Sequence, residues 1–76
     1  MQSITVKLDS IEKIRNFVSA ITMVDGDFDL VSERFVVDAK SIMGIFSLDL
    51  SKPLRLDIHN EAAVEQVKEQ LTAFIV

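Results

Sequence analysis

Lys40-Ser41-Ile42-Met43-Gly44, continued by Ile45-Phe46-Ser47-Leu48, lies in the middle of the chain, and its reading decides what stands on either side. A small hydroxyl precedes a run of apolar residues. Ser41 has the chemistry of a helix N-cap, because its oxygen can accept a hydrogen bond from an amide of the first turn. The free N–H groups and the positive dipole end of such a turn would also suit a phosphate on that serine. Two readings therefore stand side by side: a structural cap over a short buried helix, and a modification site. Gly44 inside the helix costs about 1 kcal/mol against alanine. It is expected either to permit close packing or to loosen the turn.

Working outward toward the N-terminus, Arg34 to Ala39 carries Phe35, Val36 and Val37 and reads as a strand that delivers the chain to Lys40. Phe28 to Val31 forms a short strand before it. Ser32-Glu33 is the expected connection, a hairpin without the favoured Asn-Gly pair. Ser3 to Leu8 alternates cleanly, with Ile4, Val6 and Leu8 on one side, and predicts a first strand with one buried face. Asp9-Ser10-Ile11-Glu12 has the form of a capping box. Ile11, Ile14, Phe17, Val18 and Ile21 then follow at helical spacing, which predicts a helix over about 10–23. Asp25-Gly26-Asp27 stops it.

Toward the C-terminus, Ser51-Lys52-Pro53 breaks the chain. Leu54, Leu56 and Ile58 alternate with Arg55, Asp57 and His59 as a fourth strand. Asn60 can cap a last helix whose buried stripe is Val64, Val67, Leu71 and Phe74, with Glu65, Lys68 and Glu69 toward water. The apolar ending Ala73-Phe74-Ile75-Val76 is expected to pack on the body of the protein. The order is thus β-α-β-β-α-β-α, an α+β arrangement with helices covering one face of a four-stranded sheet.

Composition narrows the function. Seventy-six residues predict a single domain spanning 1–76. A chain of that size buries only about 60% of its unfolded surface, so almost every apolar face must turn inward. With 49% hydrophobic and 26% charged residues it is globular in composition, and with no cysteine it has neither disulfides nor thiolate metal sites. A net charge of −4 argues against nucleic acid and against anionic membranes. No apolar run approaches the roughly 20 residues of a membrane helix, and no basic leader opens the chain. The expectation is a cytoplasmic protein.

The motif Lys40-Ser41-Ile42-Met43-Gly44, with the Ser47-Leu48 pair after it, resembles the regulatory-serine motif of HPr, the histidine-containing phosphocarrier of the bacterial sugar phosphotransferase system. The order of segments agrees along nearly the whole chain. The resemblance implies an open-faced β-sandwich: a four-stranded antiparallel sheet with three helices on one side. In HPr-like proteins a histidine caps the first helix, in a pattern close to Leu-His-Ala-Arg-Pro-Ala, and carries the phosphate. Here the family spacing leads to Asp9 or Ser10. In one register Asp9 replaces the histidine and Ile11 the arginine; in the other, Ser10 and Glu12 take those places. Neither offers an imidazole, and Glu12 would repel a phosphate.

Histidine phosphotransfer is therefore expected to be absent, as in the catabolite-repression paralogue of the family. That likeness implies phosphorylation of Ser41 by a serine kinase/phosphorylase, then docking on a transcriptional regulator or transport component. Ile42, Met43 and Phe46 match positions that HPr-like proteins use for partners. From the residues alone, core and surface are equally open for Ile42 and Met43, and core is preferred for Phe46.

Other chemistries are weak. His59, the one histidine, reads as a solvated or capping residue. Asp25, Asp27 and Asp29 alternate faintly like a calcium loop but lack its glycine position and distal glutamate, so they read as solvated turn carboxylates. No nucleophile triad, metal ligand set or cofactor motif is present, and no enzyme is expected. The alternatives are a structural module, self-associating through its C-terminus or the Ile42-Met43 edge, and a residual phosphocarrier using Asp9 as acyl-phosphate acceptor.

Overall fold

Two helical crossovers, threaded through each other, build the sheet. A computed structural model describes residues 2–76. Its elements are β1 (Gln2–Val6), α1 (Ile11–Thr22), β2 (Phe28–Ser32), β3 (Phe35–Asp38), α2 (Ile42–Phe46), β4 (Leu54–Ile58), a 3-10 turn (Glu61–Ala63) and α3 (Val64–Gln70). The spatial order is β1-β4-β2-β3, and every neighbouring pair is antiparallel. It follows that β1 and β2 run parallel with β4 between them, and β3 and β4 run parallel with β2 between them. α1 makes the first crossover and α2 lies on the second. The two units point in opposite directions and step opposite ways across the sheet, so the right-handed connection that such units prefer puts both helices on the same face. The expected open-faced α+β architecture is the one observed.

Register assigns the faces. Ile4 pairs with Leu56, which pairs with Leu30, which pairs with Val37. These residues look toward the helices. Ile14, Phe17 and Ile21 of α1, Ile45 of α2, and Val64, Val67 and Leu71 of the α3 region close the core over them. Phe17 meets Phe74 edge-on, ring centroids 5.9 Å apart. Truncating either ring would cost roughly 3–5 kcal/mol.

The opposite face has no helical cover. Ser3, Asp57, Asp29 and Asp38 form one row across four strands, and Thr5, Arg55, Val31 and Val36 form the next.

Several expectations shift by a residue. β1 ends at Val6, although Leu8 is still fully buried. α1 runs Ile11–Thr22, one residue inside each expected end. Ile11, assigned to its apolar stripe, is 60% exposed, because burial starts one turn later at Ile14. The hairpin turn is Glu33-Arg34 and not Ser32-Glu33, since Ser32 pairs with Phe35. Glu33 takes φ 55°, the positive value that the first central position of a type II′ turn needs. Gly26 (φ 124°) turns the chain after α1, and a Cβ there would stand 3.1 Å from that of Asn60.

The C-terminal segment packs as expected, but along a strand edge. Lys7 N–H donates to Phe74 O at 2.9 Å, Val76 N–H donates to Thr5 O at 3.0 Å, and Ile75 bridges Val6.

Candidate functional site

The candidate residues gather at the starts of α1 and α2, except Phe46, which ends α2. At α1, Ser10 takes an extended backbone, and its oxygen accepts from Lys13 N–H at 3.1 Å. Asp9, one residue earlier, pairs with the Lys13 ammonium at 3.0 Å. The capping-box glutamate is therefore not used: the cap is Ser10 alone, and Glu12 is an acid in the first turn. The Lys13 hydrogen bond and charge hold the Asp9 carboxyl below its ordinary value near 3.8. That keeps it ionised, and its charge is already answered.

At α2, Ser41 is also extended, and its oxygen accepts from Gly44 N–H at 3.2 Å. It is half-buried and reaches the surface. Gly44 resolves in favour of close packing. A Cβ there would lie 3.2 Å from Val37 Cβ and 3.3 Å from Ser41 Oγ, so the missing side chain seats α2 directly on β3.

Lys40, next to the serine, points elsewhere. Its ammonium donates to Val24 O at 2.9 Å and lies 5.4 Å from the centre of the Phe28 ring. It fastens the end of α1 to the start of α2, and its charge is not directed at Ser41. Cation–π contacts of this kind are worth about 0.5–2 kcal/mol.

The three apolar candidates separate. Ile42 is half-buried against the core, Met43 is 76% exposed, and Phe46 is 43% exposed. The preference for Phe46 in the core is thus corrected. Ile45 takes the inward direction of this single short turn, and the ring of Phe46 is left beside it at the surface. After α2, Asp49 accepts from Ser51 N–H at 3.1 Å and Oγ at 2.6 Å, which lowers its pKa.

His59 lies at the other end of the molecule's logic, on the uncovered sheet face. Its Nε2 is 2.7 Å from Asp29 Oδ2. Asp29 lies in β2, as the Phe28 to Val31 strand predicts, and its carboxylate is held by an imidazole, which corrects its reading as a solvated turn carboxylate. Asp27, Phe28, Asp29, Asp38 and His59 line a shallow depression of about 330 Å³. This grouping crosses three strands and was invisible before the register was known.

Among the described residues, no helix is long and apolar enough to cross a membrane, and no group of three or more acidic, histidine or cysteine residues is arranged to hold a metal ion.

An antiparallel four-stranded sheet with three helices on one face and a serine-capped short helix after β3 defines the HPr class of fold. A solved structure of that class is the HPr-C-His crystal structure from Thermoanaerobacter tengcongensis, which superposes with a TM-score of 0.79 at 22% identity, over 96% of this chain and 89% of that one. At that identity the likeness is one of fold. No family model matches the sequence, and no curated protein matches it.

Proposed function

We propose that the chain is a cytoplasmic, HPr-like protein-binding module without histidine phosphotransfer, whose docking surface is Ile42, Met43 and Phe46 and whose control point is Ser41. One observation carries this reading: Ser41 reaches the surface beside two exposed large apolar side chains, Met43 and Phe46, on a helix whose first turn carries no acid. The absence of histidine at both Asp9 and Ser10, the two positions where the family's histidine is expected, supports the reading, and Glu12 in the first turn of α1 disfavours a phosphate there.

A phosphate on Ser41 would bring about −1.5 to −2 charge and three strong acceptors. Lys40 is tied to Val24 and does not neutralise it, so the counter-charge has to come from the partner. An arginine-bearing transcriptional regulator or transport component fits that requirement, with a serine kinase/phosphorylase as the writer.

The test is direct. The protein is incubated with an HPr-type serine kinase/phosphorylase and ATP, and phosphate is located by mass spectrometry. Modification at Ser41 supports the proposal; an unmodified Ser41 beside a modified HPr control overturns it. A pull-down with phosphorylated and unmodified protein then identifies the partner.

A second reading is favoured by the Ser41 hydrogen bond itself. The oxygen is already engaged with Gly44 N–H, as a purely structural cap would be. In that case the protein reuses the fold without phosphate, and Ser41→Asp, a competent cap, leaves partner binding unchanged.

A further inference from the structure

The two outer edges of the sheet are treated differently by the chain. β1 is bordered by the C-terminal segment, through the Phe74, Ile75 and Val76 contacts described above. β3 has no such cover among the described residues. The hairpin fixes which of its main-chain groups are free. Ser32 and Phe35 close a two-residue turn, and Ala39 N–H donates to Phe28 O at 2.9 Å. Bonded pairs alternate with unbonded ones in an antiparallel ladder. Val36 therefore turns both its N–H and its C=O away from β2, toward solvent; Asp38 turns its own outward too, but its C=O already accepts from Ser41 N–H at 3.0 Å, so only its N–H is open. On this edge Phe35 and Val36 are each 61% exposed, an unusual amount of apolar surface for a bare strand.

Charge is arranged unevenly on the same edge. On the uncovered face Asp57, Asp29 and Asp38 stand side by side on adjacent strands. Asp57 is answered by a two-point bond from Arg55 (2.8 and 3.2 Å), and Asp29 by His59. Asp38 has only the Lys40 main-chain N–H, at 2.9 Å. Arg34, four residues earlier and exposed, has no partner among the described residues. The hairpin thus carries an anion without a cationic partner at the end of β3, Asp38, and a cation without an anionic one in its turn, Arg34, each two residues from Val36.

We propose that β3 pairs edge to edge, antiparallel, with β3 of a second copy of this chain, with Val36 opposite the partner's Val36. That register brings Arg34, in the hairpin turn, opposite the partner's Asp38, and Asp38 opposite the partner's Arg34. On the helical face it sets Phe35 against the partner's Val37, an aromatic–β-branched pair of the kind that stabilises sheets. The outward N–H and C=O of Val36 meet their counterparts across the twofold axis. The joined sheet has eight strands, with both helical layers on the same side. The seam is short and the net charge of each copy is −4, so association is weak, visible from roughly 100 μM upward.

Sedimentation equilibrium from about 10 μM to 1 mM, with backbone amide shifts followed over the same range, tests this. The expected result is a monomer–dimer equilibrium with concentration-dependent shifts centred on residues 34–38. Arg34→Asp and Asp38→Arg each weaken association about tenfold or more, and the double exchange restores it. Val36→Pro, which removes an outward N–H without touching the β2 ladder, abolishes it. Circular dichroism checks that each variant folds; Asp38→Arg gives up the bond to Lys40, and should it unfold, Arg34→Asp and Val36→Pro carry the test. A monomer at 1 mM, a double exchange no better than the single ones, or shifts centred on Met43 and Phe46 overturns the proposal.

Discussion

The two serine-capped helices make a controlled comparison within one molecule. Ser10 and Ser41 share an extended backbone, and each accepts from the amide three residues on, at 3.1 and 3.2 Å. What differs is the ground they stand on. The third helical residue of α1 is Lys13, a solvated side chain that pairs with Asp9. In α2 it is Gly44, so close to β3 that even a Cβ would stand only 3.2 Å from that of Val37. α1 spends its cap on a long helix that the core already holds through Ile14, Phe17 and Ile21. α2 has five residues and one buried anchor, Ile45. The same hydrogen bond is therefore incidental at one site and decisive at the other, because short helices depend on their ends.

That contrast can be broken at its strongest point first. Gly44→Val drives a branched side chain into Val37 and Ser41, and should cost about 2–3 kcal/mol in urea unfolding. Lys13→Val, at the corresponding position of α1, should cost under about 1 kcal/mol. A Gly44 variant as stable as the Lys13 variant would mean that α2 does not rest on β3 as described.

Next come the caps themselves. Ser41→Ala should lose about 1–2 kcal/mol, because it leaves a half-buried amide unanswered, whereas Ser10→Ala should lose about 0.5–1 kcal/mol. Equal losses would erase the distinction between the two sites. Ser41→Asp should retain most of the stability, since aspartate also caps, and this separates a cap defect from an effect on partner binding.

The smallest effect concerns charge. Lys13 lowers the Asp9 pKa, so this ion pair contributes to stability above the ordinary aspartate value and loses that contribution as pH falls through the lowered one. Lys13→Met should move the Asp9 midpoint, followed by NMR, up toward about 3.8. Asp49 should keep its low midpoint in the same variant, because its partner is Ser51.

Much of the fold was legible because alternation and helical spacing are local. Ile4-Val6-Leu8, Leu54-Leu56-Ile58 and the Val64-Val67-Leu71-Phe74 stripe announced their elements and their buried sides. The Ser41 and Asn60 caps were equally open, being a residue type at a helix start, whereas at α1 the box of Asp9 and Glu12 pointed one residue ahead of the Ser10 cap. Three other things were not legible. The turn at Glu33 lacks glycine or asparagine, so nothing in its chemistry marked the residue that takes positive φ. Ile11 and Phe46 obey the apolar pattern yet lie at the surface, because pattern gives direction around a helix but not how far the neighbouring layer extends. The row Asp57-Asp29-Asp38 and the His59–Asp29 bond depend on register between strands distant in sequence, which no single stretch encodes.

The interleaving of the two crossovers has a kinetic consequence. Only β2 and β3 are neighbours both in sequence and in space; β4 must slip between β1 and β2, and Gln2 finds Ile58 across most of the chain. The β2–β3 hairpin can close within about 1–10 μs on its own, but it has little to rest on until β4 arrives. Arrival of that central strand is the expected slow event, so truncating Leu56 should retard refolding, whereas truncating Val36 on the outer hairpin should chiefly hasten unfolding. Stopped-flow chevrons of those two variants would show which strand the rest of the molecule waits for.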